Sequence, residues 1–181
     1  MIAEFFEIDG PVLLTPRVFS DSRGFFLETF NKDRYREILG SVDFVQDNLS
    51  SSELHVVRGL HFQTPPFAQG KLVSVVRGAV VDVMVDLRKN STNYGRHLAV
   101  ELNEEEHKQL WIPPGFAHGF LSLRKNTLFS YKCTAPYSPL SERTLLWNDP
   151  DLAINWKVDE PIVSEKDAQG ELFRNFESPF K

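Results

Sequence analysis

The sequence predicts an all-β fold, a sandwich or small barrel built of short strands. Its apolar runs are brief and are broken throughout by Gly, Pro, Asn and Asp, the punctuation of strands and turns. Only Lys32 to Leu39 has clear helical periodicity. One long segment alternates at period two: Ala79, Val81, Val83, Val85 and Leu87 share a face, and Asp82, Met84 and Asp86 share the other. Such a strand packs one face on apolar material and turns the other to a cavity or to solvent.

In chain order, Gly24 to Phe30 reads as a strand, Lys32 to Leu39 as a helix and Val56 to Phe62 as the next strand. Lys71 to Val76 and Ala79 to Leu87 form a hairpin about a turn at Arg77 and Gly78. His97 to Leu102, Gln109 to Ile112, Phe116 to Leu123 and Thr127 to Cys133 complete the set. From Asn148 onward Asp, Pro and Glu are frequent, and this tail is expected to wrap the barrel in short turns. No repeat or linker divides the chain, and its 181 residues suit a single domain over residues 1–181.

Apolar residues make up 41% and charged residues 25%, the composition of a globular chain with a filled core. The net charge is −5 and no basic run interrupts it, which argues against nucleic acid as a partner. A few focused arginines can still hold a phosphorylated ligand inside an acidic surface. Met1 to Gly10 carries Glu4 and Glu7 and does not read as a secretory signal. No apolar run approaches the roughly 18 residues that span a bilayer, so no membrane association is expected. Cys133 is the single cysteine, which excludes an intramolecular disulfide and fits a cytoplasmic protein. The 15 phenylalanines serve mainly as core, though one beside polar ligand contacts can stack on a nucleobase.

Two segments carry chemistry. Arg58-Gly59-Leu60-His61-Phe62-Gln63 puts His61 and Gln63 on one strand face beside a flexible glycine. Trp111 to Phe120 passes through Pro113, Pro114 and Gly115 into a strand that presents His118. Within it, Pro113-x-Gly115-x-x-His118 resembles the second motif of the cupin family of small jelly-roll barrels. The first cupin motif supplies a His-x-His pair and a glutamate separated by six residues from a glycine, whereas here Gln63 and Lys71, the latter likewise separated by six residues from Gly78, stand at two of those ligand positions. An amide and an ammonium suit a divalent cation poorly, so a metal-free site is expected, with Lys71 as the cationic centre.

More widely, the chain is similar to one cupin branch, the dTDP-4-dehydrorhamnose 3,5-epimerases of dTDP-rhamnose synthesis. The matching stretches run from Asp21–Glu28 and Phe44–Ser50 through Arg58–Gln63, Ala68–Val73, Val85–Arg88, Gln109–Phe120 and Tyr131–Lys132 to Ser164–Asp167. They cover the chain nearly end to end in shared order. The resemblance implies a cupin-type double-stranded β-helix, or jelly-roll barrel, with short peripheral helices and no cofactor. It implies epimerisation of dTDP-4-dehydro-6-deoxy-D-glucose at C3 and C5 to dTDP-4-dehydro-L-rhamnose, by proton abstraction next to the ketone through an enolate.

Each matching residue then receives a task. His61 is the implied base, Asp167 its partner, Tyr131 the acid on the opposite face and Lys71 the donor to the enolate oxygen. The substrate-binding residues implied are Arg23, Phe26, Glu28, Gln46, Asn48, Arg58, His118, Tyr137, Glu142 and Lys166. Arginines suit the diphosphate, and Phe26 and Tyr137 can sandwich the pyrimidine. The plainer alternatives are a core histidine at His61, a packing aromatic at Tyr131, a surface aspartate at Asp167 and a solvated lysine at Lys71. His118 either orients the sugar or joins the charge network near Lys71, and Asp82 either buffers Lys71 or faces water. Arg23 and Glu28 have an ordinary surface ion pair as their alternative, worth less than about 1 kcal/mol.

In the family, amino-terminal residues reach into the partner's pocket, which implies a homodimer with N-terminal strand exchange. Rival readings are a single-position epimerase at C3 or C5 of a related dTDP-4-keto-6-deoxysugar, a non-catalytic nucleotide-sugar-binding cupin and a metal-dependent cupin oxygenase. One local departure is Asn155-Trp156-Lys157, where the family usually has Asp-Trp-Pro, and an altered turn without loss of activity is expected there.

Overall fold

The computed structural model describes residues 1–181 and is the all-β sandwich that the alternation predicts. The elements are β1 (Ile2–Phe5), β2 (Val12–Thr15), β3 (Val18–Asp21), β4 (Gly24–Leu27), α1 (Lys32–Leu39), β5 (Gln46–Ser52), β6 (Val56–Gln63) and β7 (Lys71–Arg77). They continue with β8 (Ala79–Asp86), β9 (His97–Asn103), β10 (Gln109–Ile112), β11 (Phe116–Ser122), β12 (Thr127–Cys133), β13 (Glu142–Thr144), β14 (Ile162–Val163), α2 (Glu165–Ala168) and a 3-10 turn at Phe173–Asn175. One sheet has the order β1-β2-β10-β7-β12-β5, and the other β13-β6-β11-β8-β9, with β14 parallel to β6. β3 and β4 form a separate two-stranded ribbon off the sandwich.

Three apolar layers hold this together. Between the sheets, Val73, Leu110, Ile112 and Phe129 meet Val80, Met84, Leu102 and Phe120. On the outer face of the second sheet, Val57, Leu60, Val83, Val85 and Leu121 are covered by Leu145, Leu152, Trp156 and Phe180 of the tail. On the outer face of the first, Leu14, Leu72 and Trp111 are capped by Tyr35 from α1. Burying one such side chain stabilises by about 1.5 to 3 kcal/mol, so the tail is an integral wall. No helix is long and apolar enough to cross a membrane.

Several boundaries differ from the sequence reading. The strand from Gly24 ends at Leu27, because Asn31 accepts the Arg34 amide as the N-cap of α1 and Phe30 turns in against Tyr35 and Phe44. The sequence pattern does not mark β1, β2, β3, β5, β13 or β14; β5 is Gln-Asp-Asn-Leu-Ser-Ser-Ser, poor in β-formers, and its pairing with β12 overrides that composition. The second face of β8 is not turned to solvent: Asp82, Met84 and Asp86 are fully buried, with Asp86 paired to Arg88. The tail from Asn148 is mostly turns, as expected, with α2 and β14 inserted. At the departure from the family, Asn155 Oδ1 accepts the Lys157 amide and Lys157 has φ 55°, which proline's ring cannot adopt. Trp156 stays buried there and donates to the Trp147 carbonyl at 2.8 Å, so the altered turn keeps its anchor.

Candidate active site

The sandwich interior is apolar at one end and polar at the other. Period-two alternation points Gln46, Asn48 and Ser50 of β5, Lys71 of β7, and Tyr131 and Cys133 of β12 inward. His61 and Gln63 of β6 and His118 of β11 face them from the second sheet. Two adjoining hollows of about 310 and 180 Å³ share His61, Lys71 and Tyr131 in their walls.

His61 and Asp167 form a pair at 2.6 Å between Nε2 and Oδ1. Asp167 is buried, and its second oxygen accepts the Gly59 amide at 3.1 Å. Its own amide donates to Ser164, the N-cap of α2, at 3.1 Å. Gly59 is needed here: it has φ 137°, and a Cβ would lie 2.5 Å from the Gly119 Cα on β11. Burial pushes the Asp167 carboxyl up, but the His61 hydrogen bond and charge and the Gly59 amide outweigh it and hold it below the usual range. A carboxylate fixed on Nε2 makes that nitrogen the proton carrier and leaves the Nδ1 lone pair for a substrate proton.

Lys71 is buried and donates to the His61 carbonyl at 3.3 Å. An ammonium has three donors, so this one bond leaves two for a ligand. Burial lowers its pKa, while the nearby Cys133, Asp82 and Glu142 pull it back up. Tyr131 is pushed above the ordinary phenol range chiefly by burial and then by Cys133, so it holds its proton at neutral pH. His118 Nε2 lies 3.1 and 2.9 Å from the two Asp82 oxygens, and both residues are buried. Burial pushes His118 down and Asp82 up, opposed in each case by the partner. Asp82 therefore does not face water; it belongs to the charge network that His118 joins.

Farther out, Arg58 donates to Ser52 Oγ and the Ser51 carbonyl, both at 3.0 Å, and its guanidinium borders the smaller hollow. Gln46 bonds Asn48 at 2.9 Å, and Asn48 donates to Cys133 Sγ at 3.6 Å. Tyr137 donates to Glu142 at 3.1 Å, and Glu142 pairs with Lys166 at 2.6 Å. Nine of the fourteen residues singled out, namely His61, Lys71, Tyr131, Asn48, Gln46, Arg58, His118, Tyr137 and Glu142, thus border one hollow or the other. Asp167 and Lys166 join them through His61 and Glu142.

Arg23, Phe26 and Glu28 are not brought to this pocket within the chain. Arg23 and Phe26 lie on the β3–β4 ribbon, with the Arg23 side chain 88% exposed and Phe26 68% exposed. Arg23 and Glu28 do not form the surface pair with each other that was their alternative: Arg23 pairs with Asp21 and Glu28 with Arg34, each at 2.6 Å.

A divalent cation does not fit these donors. Gln63 Oε1, its one ligating atom, already accepts the Ser138 amide at 2.7 Å, Lys71 brings positive charge, and each imidazole holds a carboxylate. The sequence reading missed Ser50, Gln69 and the inward side of Cys133. Ser50 Oγ is buried without a hydrogen-bond partner beside the smaller hollow, an open site for a ligand oxygen. A lone serine in a polar run carries no signal; only the period of β5, once recognised, points it inward.

Residues 6–175 match the family model described as dTDP-4-dehydrorhamnose 3,5-epimerase. The chain is 48% identical over 168 residues to the dTDP-4-dehydrorhamnose 3,5-epimerase of Shigella flexneri, covering 92% of this chain and 93% of that one. Its fold superposes with a TM-score of 0.93 on a dTDP-6-deoxy-D-glucose-3,5-epimerase from Legionella pneumophila in complex with dTDP-4-keto-L-rhamnose, at 44% identity over 97% and 94% of the two chains. It is also similar to a 3′-monoepimerase from Streptomyces bikiniensis in complex with dTDP-quinovose, with a TM-score of 0.88 and 33% identity over 93% and 86%.

Proposed function

The chain belongs to the dTDP-4-dehydrorhamnose 3,5-epimerase family, and on that premise we propose how its own residues perform the reaction. It is an isomerase that converts dTDP-4-dehydro-6-deoxy-D-glucose to dTDP-4-dehydro-L-rhamnose, in dTDP-L-rhamnose biosynthesis. The observation that carries the residue assignment is the His61–Asp167 pair, whose imidazole shares one pocket with Tyr131 and Lys71.

His61 Nδ1 takes the proton from the carbon beside the ketone. The C–H electron pair moves into the ring C–C bond, and the carbonyl π pair moves onto oxygen, giving an enolate. Lys71 donates a hydrogen bond to that oxygen, where one preorganised donor contributes about 3 to 4 kcal/mol. Tyr131, kept protonated by burial, delivers a proton to the opposite face of the carbon. Exchange with water then resets base and acid before the second carbon reacts. Arg58 takes the diphosphate, Tyr137 the pyrimidine, Gln46, Asn48, Glu142 and Lys166 the polar edges, and His118 orients the sugar. Residues 1–181 act as one domain in the cytoplasm, a reading supported by the single unpaired cysteine.

Incubation with the ketosugar nucleotide in deuterated water tests the proposal. Deuterium should enter at C3 and at C5, read by loss of both ring-proton NMR signals. The similarity to a monoepimerase makes a single-carbon reaction the second reading. Exchange at one carbon alone would establish it, and binding without exchange would establish a non-catalytic module.

The β3–β4 ribbon carries Arg23 and Phe26, both exposed and neither in the walls of the hollows that hold His61, which supports a homodimer in which each ribbon completes the partner's pocket. Arg23→Ala alone should mainly raise KM. Mixing refolded Arg23→Ala and His61→Asn subunits tests the exchange. Equal mixing makes half the dimers hybrid, and one pocket of each hybrid is intact, so at substrate well below KM, where Arg23→Ala homodimers turn over little, activity should reach about a quarter of wild type. No recovery would place Arg23 outside the partner's pocket.

A further inference from the structure

Four consecutive residues between β12 and β13 have their backbone groups held by glutamine side chains. Gln69 donates to the Ala135 carbonyl at 2.7 Å. Gln63 donates to the Pro136 carbonyl at 3.1 Å and accepts the Ser138 amide at 2.7 Å. Gln46 accepts the Tyr137 amide at 2.8 Å. All three glutamines line the larger hollow, and the segment they hold carries Tyr137 at its edge. Gln63 is only 4% exposed, and its remaining hydrogen goes to the Phe67 carbonyl at 2.7 Å, so one amide ties two loops together.

We propose that Gln63 and Gln69, with Gln46, are positioning residues that fix the Ala135–Ser138 strap, so that Tyr137 stands in its ligand-receiving orientation before the nucleotide arrives. The inference rests on the nucleotide reading of Tyr137 given above. The chemistry favours it because loop backbone at a pocket edge is otherwise satisfied by water and left mobile. Amide side chains from rigid strands replace that water with fixed partners, so binding loses less conformational freedom. A glutamine serves this better than a carboxylate, since Gln63 must donate twice and accept once in one place. Gln63 also sits two residues beyond His61 on the same face of β6, which registers the strap against the base.

The tests are the Kd for dTDP and the separate kcat and KM for the ketosugar nucleotide, taken well below the melting temperature. Gln63→Leu leaves the Ser138 amide and two carbonyls without partners. It should raise both Kd and KM by about tenfold or more, with kcat reduced less than about threefold. Gln63→Glu keeps the acceptor for Ser138 and loses both donors, so it should fall between. Gln69→Leu deletes one bond and should raise Kd by about threefold, which keeps the test available if Gln63→Leu does not fold. A lower kcat with Kd and KM unchanged would mean that these glutamines only support the fold, and it would overturn the inference. Failure of the wild-type protein to bind dTDP would overturn the nucleotide reading itself and the inference with it.

Discussion

His61→Asn is expected to abolish deuterium incorporation at both C3 and C5. Asparagine can keep a hydrogen bond to Asp167, so the buried carboxylate retains a partner, but it has no basic nitrogen near neutral pH. The loss is that of a general base, at least about 10² to 10⁴ in kcat. Affinity for dTDP should hold, because His61 contacts the reacting sugar. Asp167→Asn separates positioning from chemistry: the imidazole remains, but its tautomer and its cationic form lose their support. A substantial fall there, with exchange still measurable, is the expected pattern. Unchanged exchange in His61→Asn would move the base elsewhere and remove the case for the dyad.

Lys71→Met should lower kcat by about 10² to 10³ while leaving dTDP affinity intact. Methionine fills the space of the lysine stem, so packing between the sheets survives and the lost group is the ammonium. The pH profile supplies a second reading. The protonated lysine is the active form, and burial lowers its pKa, so kcat should fall as pH rises through a value below the ordinary lysine range. Tyr131 is shifted the other way, upward from the ordinary phenol value, chiefly by burial. The alkaline limb that belongs to Lys71 should vanish in Lys71→Met. A variant that exchanged protons at the wild-type rate would show that the enolate is stabilised by another group, and a persisting limb would assign that titration elsewhere.

Strands with a strong period were legible in the sequence, and those held by partners were not. β8 declares itself through alternating valines, whereas β5 consists largely of Ser, Asn, Asp and Gln and is a strand because β12 lies beside it. The site divides in the same way. His61 and His118 stand in segments whose glycine and proline turns attract notice, and the structure sets them opposite each other as register partners on β6 and β11. Asp167 stands in an ordinary polar stretch, and only the family resemblance singles it out. Its carboxylate meets His61 because the tail folds back over the second sheet, a tertiary event without local signature. Arg23, Phe26 and Glu28 remain apart from the pocket because β3 and β4 pair only with each other, as a ribbon off the sandwich.

The dyad joins residues 106 positions apart, and its acidic half comes from the tail. During translation the imidazole emerges long before its counter-ion. A nascent barrel holding His61, Lys71 and Tyr131 would therefore bear an unassisted base until the ribosome has released the segment through Asp167. A product stopped before Asp167 would lack both that counter-ion and part of the wall over the second sheet, so its turnover should fall at least as far as that of Asp167→Asn, however well its early strands had paired.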